Sequence, residues 1–235
     1  FEIKSEKAHQ ELQKICTANI KNEIGKCTYS HMLNKDGGIE TDLTVICLDK
    51  DYFRIISSAA TRERDKFHIR KHLLREIELK DVTDNFCVFG VFGPKSRDLL
   101  KSLSTEDFKN ENFKFGTAKN ITIDGIKIWA QRLSYVGELG FELYVESQDA
   151  KKIYELIIDK GKDYNLSNCG MHAMDIMRME SGFLHWGHDI SPEENQYQAG
   201  LSFTISNKKD IDFVGKKALD KIKQTKIKSR FAMFT

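Results

Sequence analysis

The sequence predicts an α+β fold in which antiparallel sheets are covered by helices. Runs rich in β-branched and aromatic residues are joined by short turns, one of them Asp-Gly-Gly, which is typical of hairpins. The helical runs do not alternate with these strands in a regular βαβ order, so a parallel sheet is not expected. With 235 residues, 40% of them hydrophobic and 31% charged, the chain suits one large or two small globular domains.

The N-terminal third predicts a helix, three strands and a second helix. Apolar residues recur at helical spacing in the first run, and the Asp36-Gly37-Gly38 turn separates two β-prone runs. Thr61 begins the second helical run and is its predicted N-cap. These elements are the helix over residues 5–20, the strands over 27–34, 39–48 and 51–60, and the helix over 61–74.

The rest of the chain predicts four more strands and three more helices. The clearest helix begins at a serine and ends at a glycine, and an irregular segment follows the last helix. In chain order these are a strand over 86–92, a helix over 95–103, three strands within 119–145, helices over 147–161 and 170–184, and the irregular segment 185–200.

Composition argues against several classes of protein. A net charge of +2, from 37 basic and 35 acidic residues, lacks the basic excess of a nucleic-acid-binding surface, and the locally basic residues 207–230 are predicted to be a solvated helix and linker. No apolar run approaches the roughly 18 residues of a membrane helix. The five cysteines are widely spaced and include no CxxC, which favours reduced thiols and a cytoplasmic location, or the mitochondrial matrix in a eukaryote.

Residues that could carry chemistry are scattered along the chain. They are Tyr29, Asp42, Tyr135, Glu142, Arg178 and Trp186. Strand alternation places Asp42 on the face opposite Thr41 and Leu43, where a solitary aspartate is usually solvated. Arg178 lies among apolar helix residues and needs an acidic partner. That partner is either Asp175 or Glu180 in a structural ion pair, or else Glu142 or an anionic ligand group.

Several familiar motifs are absent from the sequence. His185 and His188 lie three residues apart beside Asp189, but this irregular segment lacks the fixed spacing of a metal site, so no metal is expected. The glycines of "GVFGP" and "GELG" do not follow a strand–GxGxxG–helix order, and there is no GxSxG elbow. In "YVGELGFELYV" the alternation of residues 141–145 predicts a half-buried strand after a tight glycine turn.

Several stretches, taken in order, carry a family resemblance. They are "YSHMLNKDGGIETDLTV", "RIISSAATRERD", "SYVGELGFELYV", "AMDIMRMESGFLHWGHDISPEENQYQAGL" and "DFVGKKAL". The chain resembles the folate-binding aminomethyltransferases, such as the glycine cleavage T-protein, over nearly its whole length. It is most similar to the C-terminal folate domain of dimethylglycine and sarcosine dehydrogenases.

The resemblance implies the aminomethyltransferase folate-binding fold, incomplete at both ends. Residues 1–224 would form the folate-binding domain without its N-terminal part. Residues 225–235 would form a linker and the first strand of a C-terminal barrel domain, with "SRFAMFT" as that strand. The FAD-binding half of the dehydrogenases is absent, so a fused or separate FAD-dependent dehydrogenase is the expected protein partner.

The resemblance also implies residue roles, with tetrahydrofolate as the cofactor. Asp42 matches the catalytic aspartate of the family, Tyr29 and Tyr135 match tyrosines lining the folate pocket, and Glu142 matches the glutamate that binds the pterin's amino-pyrimidine edge. Arg178 and Trp186 match further pocket positions. A carboxylate suits that edge because two parallel N–H···O bonds fix its orientation, and aromatic side chains suit the flat ring.

The implied activity is one-carbon transfer to tetrahydrofolate, forming methylene-tetrahydrofolate. The small-molecule donor would be an N-methyl amino acid iminium or an aminomethyl group. Sulfonium-to-tetrahydrofolate methyl transfer and a non-catalytic folate-binding module are the alternatives. The non-catalytic relatives carry a cysteine motif after the arginine helix, whereas residues 185–200 contain no cysteine, and together with the presence of Asp42 this favours an enzyme.

Overall fold

The computed structural model describes residues 1–225 and 227–234, which fold as two compact units. The first unit contains Phe1–Asp81 and Leu184–Thr235, and the second contains Val82–Phe183. Each unit has one four-stranded antiparallel sheet. None of the helices among the described residues has the length and apolar character needed to cross a membrane.

The first unit is built on the sheet β1-β4-β3-β2. Its strands are β1 (Glu2–Lys4), β2 (Cys27–Leu33), β3 (Ile39–Asp49) and β4 (Tyr52–Ile56), and its helices are α1 (Ala8–Ile15), α2 (Arg62–His72) and, near the end of the chain, α6 (Lys216–Gln224). The apolar face of α1, which includes Leu12, packs with buried residues of all four strands, including Val45 and Phe53. Burial of this face holds α1 in place.

The turn between β2 and β3 requires its glycines. Gly37 has φ +88, which side-chain-bearing residues rarely adopt, and a Cβ at Gly38 would lie 1.9 Å from the Pro192 carbonyl oxygen. The side-chain oxygen of Asn34 accepts a hydrogen bond from the Gly38 amide at 2.9 Å. This turn fixes the pairing register, in which His31 lies opposite Asp42.

The second unit is built on the sheet β5-β8-β7-β6. Its strands are β5 (Phe86–Phe92), β6 (Ala118–Ile123), β7 (Ile126–Gln131) and β8 (Gly140–Glu146), and its helices are α3 (Ser96–Leu103), α4 (Ala150–Gly161) and α5 (Met171–Glu180). Asp124 and Gly125 both have positive φ and form the two-residue turn between β6 and β7. Phe108, Phe113 and Phe141 meet ring to ring in the core.

The predicted α+β class is confirmed, and every strand and helix predicted within residues 5–200 is present. Some bounds and one predicted cap differ. The third strand ends at Ile56 rather than at residue 60, because Ala59–Thr61 form a single 3-10 turn. The Thr61 hydroxyl does not cap an amide of α2; it donates to Asp65 Oδ2 at 2.7 Å and lies 3.2 Å from the Ser58 carbonyl oxygen.

The C-terminal residues 227–234 have no regular secondary structure, so they do not form the strand predicted over "SRFAMFT", whose last residue, Thr235, lies outside the described residues. The amide of Phe231 donates to the Gln198 carbonyl at 2.9 Å, which attaches this segment to the first unit. The division into residues 1–224 and 225–235 remains a prediction.

Phe141 allows a test of the second core. Its ring is fully buried against Phe108 and Phe113, so Phe141→Ala should lower the free energy of unfolding by about 3–5 kcal/mol through lost burial and an unfilled cavity. Phe115, 73% exposed, is the matched control, and its alanine variant should stay within about 0.5 kcal/mol of wild type. Urea denaturation measures both, and equal losses would contradict this assignment of the core.

Candidate functional site

Asp42 lies in the middle of β3, on the face of the sheet away from the core. Thr41 and Leu43 are buried on the core side, whereas Asp42 and Thr44 are half-buried on the other side. The predicted alternation is therefore confirmed. The expectation that a solitary strand aspartate is simply solvated is wrong, because burial is the largest influence on its carboxyl group.

The pKa of the Asp42 carboxyl is raised above its usual range. Burial is the main cause, and the negative charge of nearby Asp65 adds to it, while a hydrogen bond from Tyr29 and the proximity of His185 oppose it. The Tyr29 hydroxyl lies 3.3 Å from Asp42 Oδ2. No ion pair to Asp42 occurs among the described residues. Such a carboxyl holds a proton more readily than an exposed aspartate, as a proton acceptor requires.

His31 is a neighbour of this site that the sequence analysis missed. It is fully buried on β2, opposite Asp42, and its Nε2 lies 3.3 Å from the Tyr29 hydroxyl. The two rings meet edge to face, with centroids 5.1 Å apart. Strand alternation could have found it, because residues two apart share a face of the sheet.

Trp186 is fixed to the same sheet. Its indole N–H donates to the Ile39 carbonyl at 2.9 Å, and the Arg64 guanidinium lies over its ring, 4.3 Å from the centroid. Arg64 also pairs with Glu40 at 2.6 Å. These contacts hold the indole as a rigid half-buried wall in the first unit. A role in cofactor binding remains a prediction.

The histidine segment is organised by its own backbone. The rings of His185 and His188 lie 4.7 Å apart, and Asp189 accepts the backbone amide of His185 at 2.8 Å. No group of three or more potential metal ligands lies together within residues 1–225 and 227–234. The Asp189 carboxylate thus stabilises the turn formed by this segment.

Glu142 lies on β8, on the sheet face opposite the core of the second unit. The Tyr144 hydroxyl donates to Glu142 Oε2 at 2.9 Å. Burial raises the pKa of the Glu142 carboxyl, and the Tyr144 hydrogen bond opposes that rise. Among the described residues no cation pairs with Glu142. The carboxyl therefore keeps hydrogen-bonding capacity for a ligand with N–H donors.

Two further polar groups on this face were missed by the sequence analysis. Gln131, opposite Glu142 in the strand register, is 0% exposed, yet neither atom of its amide has a hydrogen-bond partner within the described residues. The indole N–H of Trp129, opposite Tyr144, likewise has none there. Buried polar groups of proteins are normally paired, so this face is suited to a polar ligand. The alternation of residues 126–131 was the available signal, because Ile128 and Ala130 occupy the core face.

The turn before β8 packs closely on the end of α5. Gly137 has φ +75, and a Cβ there would lie 1.9 Å from Ser181 Oγ. The Ser181 hydroxyl lies 3.2 Å from the Val136 carbonyl oxygen and fastens the turn to the helix. Tyr135 is half-buried and stacks on Phe183, with centroids 6.2 Å apart and planes 17° apart.

Arg178 forms an ion pair with Asp175, one of the two structural partners that the sequence analysis left open. Its Nε and Nη2 each lie 2.7 Å from Asp175 Oδ1, and Nη1 donates to the Phe183 carbonyl at 3.0 Å. Arg178 is buried, whereas the Asp175 side chain is 44% exposed. Through Phe183, Arg178 also supports the stacking surface of Tyr135. Its predicted contact with a ligand is untested.

The predicted site residues thus form contacts within each unit. In the first unit Asp42 and Tyr29 meet directly, and Trp186 is bonded to the start of the strand that carries Asp42. In the second unit Tyr135 and Arg178 are joined through Phe183. Glu142 lies beside Tyr144, a residue the sequence analysis did not select.

Comparison with known proteins identifies the family to which the chain belongs. Residues 1–209 match the family described as the GCVT N-terminal domain. The chain belongs to the GCVT aminomethyltransferase family. The predicted resemblance is confirmed, and the fold also matches the crystal structure of glycine cleavage system aminomethyltransferase T from Bartonella henselae, with a TM-score of 0.81 over 95% of this chain and 60% of that one at 23% identity.

The GCVT relatives with similar sequences are enzymes of two kinds. Dimethylglycine dehydrogenase of Rattus norvegicus, a mitochondrial protein, is 34% identical over all of this chain, and aminomethyltransferase of Anoxybacillus flavithermus is 31% identical over 95% of it. The chain spans 28% of the dehydrogenase and 62% of the aminomethyltransferase. The match therefore concerns one part of each relative.

The raised pKa of Asp42 predicts a pH-dependent effect on stability. Because the folded state favours the protonated carboxyl, the stability contribution of Asp42 is present at low pH and is lost as pH rises through its folded pKa. Asp42→Asn should therefore be more stable than wild type at about pH 8, and the difference should shrink towards about pH 4. Chemical denaturation across this range measures it.

Asp49→Asn provides the control for this experiment. Asp49 is exposed at the end of the same strand, and asparagine retains an oxygen that can accept the Lys50 amide. Because Asp49 is exposed, this substitution should change the free energy of unfolding by less than about 0.5 kcal/mol. A wild type that is more stable than Asp42→Asn at high pH would refute the destabilising burial of Asp42.

Proposed function

We propose that this chain binds tetrahydrofolate and transfers a one-carbon unit to it, forming methylene-tetrahydrofolate. The observation that carries the proposal is Asp42, a half-buried carboxyl with a raised pKa, no ion-pair partner among the described residues, and a tyrosine hydroxyl in contact. In a chain of the GCVT aminomethyltransferase family, these features suit a residue that stabilises a cationic one-carbon unit and accepts a proton.

The polar face of the second unit fits a pterin. Glu142 offers carboxylate oxygens to adjacent N–H donors, and the unpartnered amide of Gln131 can bond to a neighbouring carbonyl or amine. Tyr135, held by Phe183, supplies a flat apolar surface. In this proposal these three residues bind and orient the ring.

Tetrahydrofolate, when bound, supplies the nucleophilic nitrogen for the transfer. Asp42 would then accept the proton that this nitrogen loses, a contribution on the order of 10²–10⁴-fold for a general base. Tyr29 would hold the Asp42 carboxyl in position through its hydroxyl. Trp186 would form a wall beside Asp42 in the first unit, and Arg178 would support the ring-binding face of the second unit, since each is fixed by contacts within its own unit.

We further propose that the donor is an N-methyl amino acid oxidised by an FAD-dependent dehydrogenase, fused or separate. The match of the whole chain to part of a dimethylglycine dehydrogenase supports this choice. An aminomethyl donor is the alternative, supported by the aminomethyltransferase relatives. Location in the cytoplasm or the mitochondrial matrix also remains a prediction.

Asp42→Ala tests the catalytic role. In the intact protein this variant should lose transfer by about 10²–10⁴-fold, because the proton acceptor is removed. Its dissociation constant for tetrahydrofolate should change less than about threefold, because the polar edge of the ring is bound elsewhere. Isothermal calorimetry and a turnover assay with N-methyl amino acids measure the two quantities. Asp49→Ala is the control, and unchanged turnover in Asp42→Ala would disprove the role.

Glu142→Gln tests the pterin anchor. The substitution keeps the shape and one acceptor for Tyr144 but replaces a carboxylate oxygen by a donor, so tetrahydrofolate should bind about tenfold or more weakly. Glu146, exposed at the end of the same strand and on the same face, is the matched control. Glu146→Gln should bind as wild type does. Equal binding by wild type and Glu142→Gln would remove Glu142 from the site.

A further inference from the structure

A chain of polar groups runs from Asp42, at the surface of the first unit, to buried His31 and Thr204. Asp42 Oδ2 lies 3.3 Å from the Tyr29 hydroxyl, which lies 3.3 Å from His31 Nε2. On the other side of the ring, His31 Nδ1 lies 3.0 Å from the Thr204 hydroxyl, which donates to the Leu201 carbonyl at 2.7 Å. This chain ends at a carbonyl that can only accept hydrogen bonds and that also accepts the Thr204 backbone amide at 3.0 Å.

The hydrogen bonds around Thr204 favour one tautomer of His31. The Thr204 hydroxyl oxygen lies 2.7 Å from the Leu201 carbonyl oxygen and 3.0 Å from His31 Nδ1, so its single hydrogen is best placed on the carbonyl and the hydrogen shared with His31 belongs to Nδ1. Gln196 Nε2 lies nearer to Thr204, at 2.5 Å, and to Thr17, at 3.1 Å, than to Nδ1, at 3.2 Å, and its two hydrogens are assigned to the first two. In this arrangement Nδ1 carries the hydrogen and Nε2 has a free lone pair.

His31 stays neutral because of its burial. Burial lowers the pKa of the imidazole from 6.5 to about 3, so Nε2 acts as an acceptor throughout the physiological range. The Tyr29 hydroxyl has one hydrogen and two acceptors in contact, His31 Nε2 and Asp42 Oδ2. It can donate to only one of them at a time, and which one depends on whether Asp42 is ionised.

We propose that His31 is a positioning residue that accepts the Tyr29 hydroxyl hydrogen and thereby allows Asp42 to hold a proton. When Asp42 is ionised, Tyr29 donates to it. When Asp42 takes a proton from the substrate nitrogen, the new carboxylic O–H donates to the Tyr29 oxygen, and the Tyr29 hydrogen rotates to His31 Nε2. No covalent bond of Tyr29 or His31 is made or broken. This inference rests on the proposed role of Asp42 as proton acceptor.

Other charged groups near Asp42 act independently of this rotation. Asp65 on α2 raises its proton affinity and His185 lowers it. Arg64, on the same helix, pairs with Glu40 and also lies within 3.8 Å of Asp65. A test must therefore alter the far end of the chain, leaving these neighbours in place.

Thr204→Val alters that far end with little change in shape. Valine offers no acceptor to Nδ1, so Gln196 Nε2, 3.2 Å away, becomes the donor to Nδ1 and His31 adopts the Nε2–H tautomer. Nε2–H then donates to the Tyr29 oxygen and directs the Tyr29 hydrogen at Asp42. Asp42 should titrate at lower pH than in wild type, because its protonated form loses the arrangement in which Tyr29 donates to His31 Nε2.

The experiment uses the intact protein carrying ¹⁵N-histidine and ¹³C-aspartate. Nitrogen NMR should show Nδ1–H in wild type and Nε2–H in Thr204→Val, and carboxyl carbon shifts should show the lower Asp42 titration in the variant. Turnover should fall about tenfold, a part of the general-base contribution, with tetrahydrofolate affinity within about twofold. An Nε2–H tautomer in wild type, or an unmoved Asp42 titration after the tautomer has switched, would overturn the proposal.

Two further variants serve as controls. Ser96→Ala removes a buried hydroxyl 3.3 Å from a carbonyl in the second unit, and it should change neither the tautomer nor the titration. Tyr29→Phe, at a partly exposed ring, should keep Nδ1–H because Thr204 sets it, and loss of Nδ1–H there would count against the proposal. The NMR measurements need no substrate, so the tautomer and the Asp42 titration test the hydrogen-bond arrangement separately, whereas an intact protein without transfer activity would refute the proposed function.

Discussion

The pairing of β2 with β3 is the constraint on which the first unit's site depends. Side chains alternate across a strand with period two, so a slip of one residue would bury Asp42 in the core and expose Leu43. The glycine turn between the strands prevents that slip, because Gly38 lies so close to the Pro192 carbonyl that no side chain fits. The position of Asp42 opposite His31 follows from backbone geometry before any side-chain chemistry acts.

The position of Asp42 lowers the stability of the folded state but suits a proton acceptor. A buried carboxyl with a raised pKa disfavours the folded state wherever it is ionised, and such costs are typical of functional sites. The surrounding polar chain limits the cost, since it joins His31 to Thr204, 173 positions along the sequence. The first and last parts of the chain are thereby held together by the groups that surround Asp42.

Local patterns in the sequence predicted most of the fold. The alternation in β3, the Asp-Gly turns and the helical periods act over a few residues, and the structure follows them. The contacts that were missed either join residues far apart in the sequence or involve side chains with several possible partners. The sequence near His31 gives no sign of its contact with Thr204. The Thr61 hydroxyl bonds to Asp65 and not to a backbone amide. Arg178 could have paired with any of three carboxylates, and it pairs with Asp175. The resemblance supplied the site residues, and Gln131 was outside it.

Asp42 and Glu142 show how similar surroundings can suit different tasks. Each is a half-buried carboxyl with a raised pKa and a tyrosine hydroxyl in contact, on the non-core face of a strand. Tyr144 and Glu142 lie two apart on one strand, beside the unpartnered amide of Gln131, an arrangement suited to holding a polar ligand edge. Tyr29 instead lies between Asp42 and the lone pair of a neutral histidine. Because His31 Nε2 is a second acceptor for the Tyr29 hydroxyl, the hydroxyl hydrogen can move between Asp42 and His31. This freedom suits Asp42 to exchange a proton, whereas Glu142 is suited to anchor a ligand.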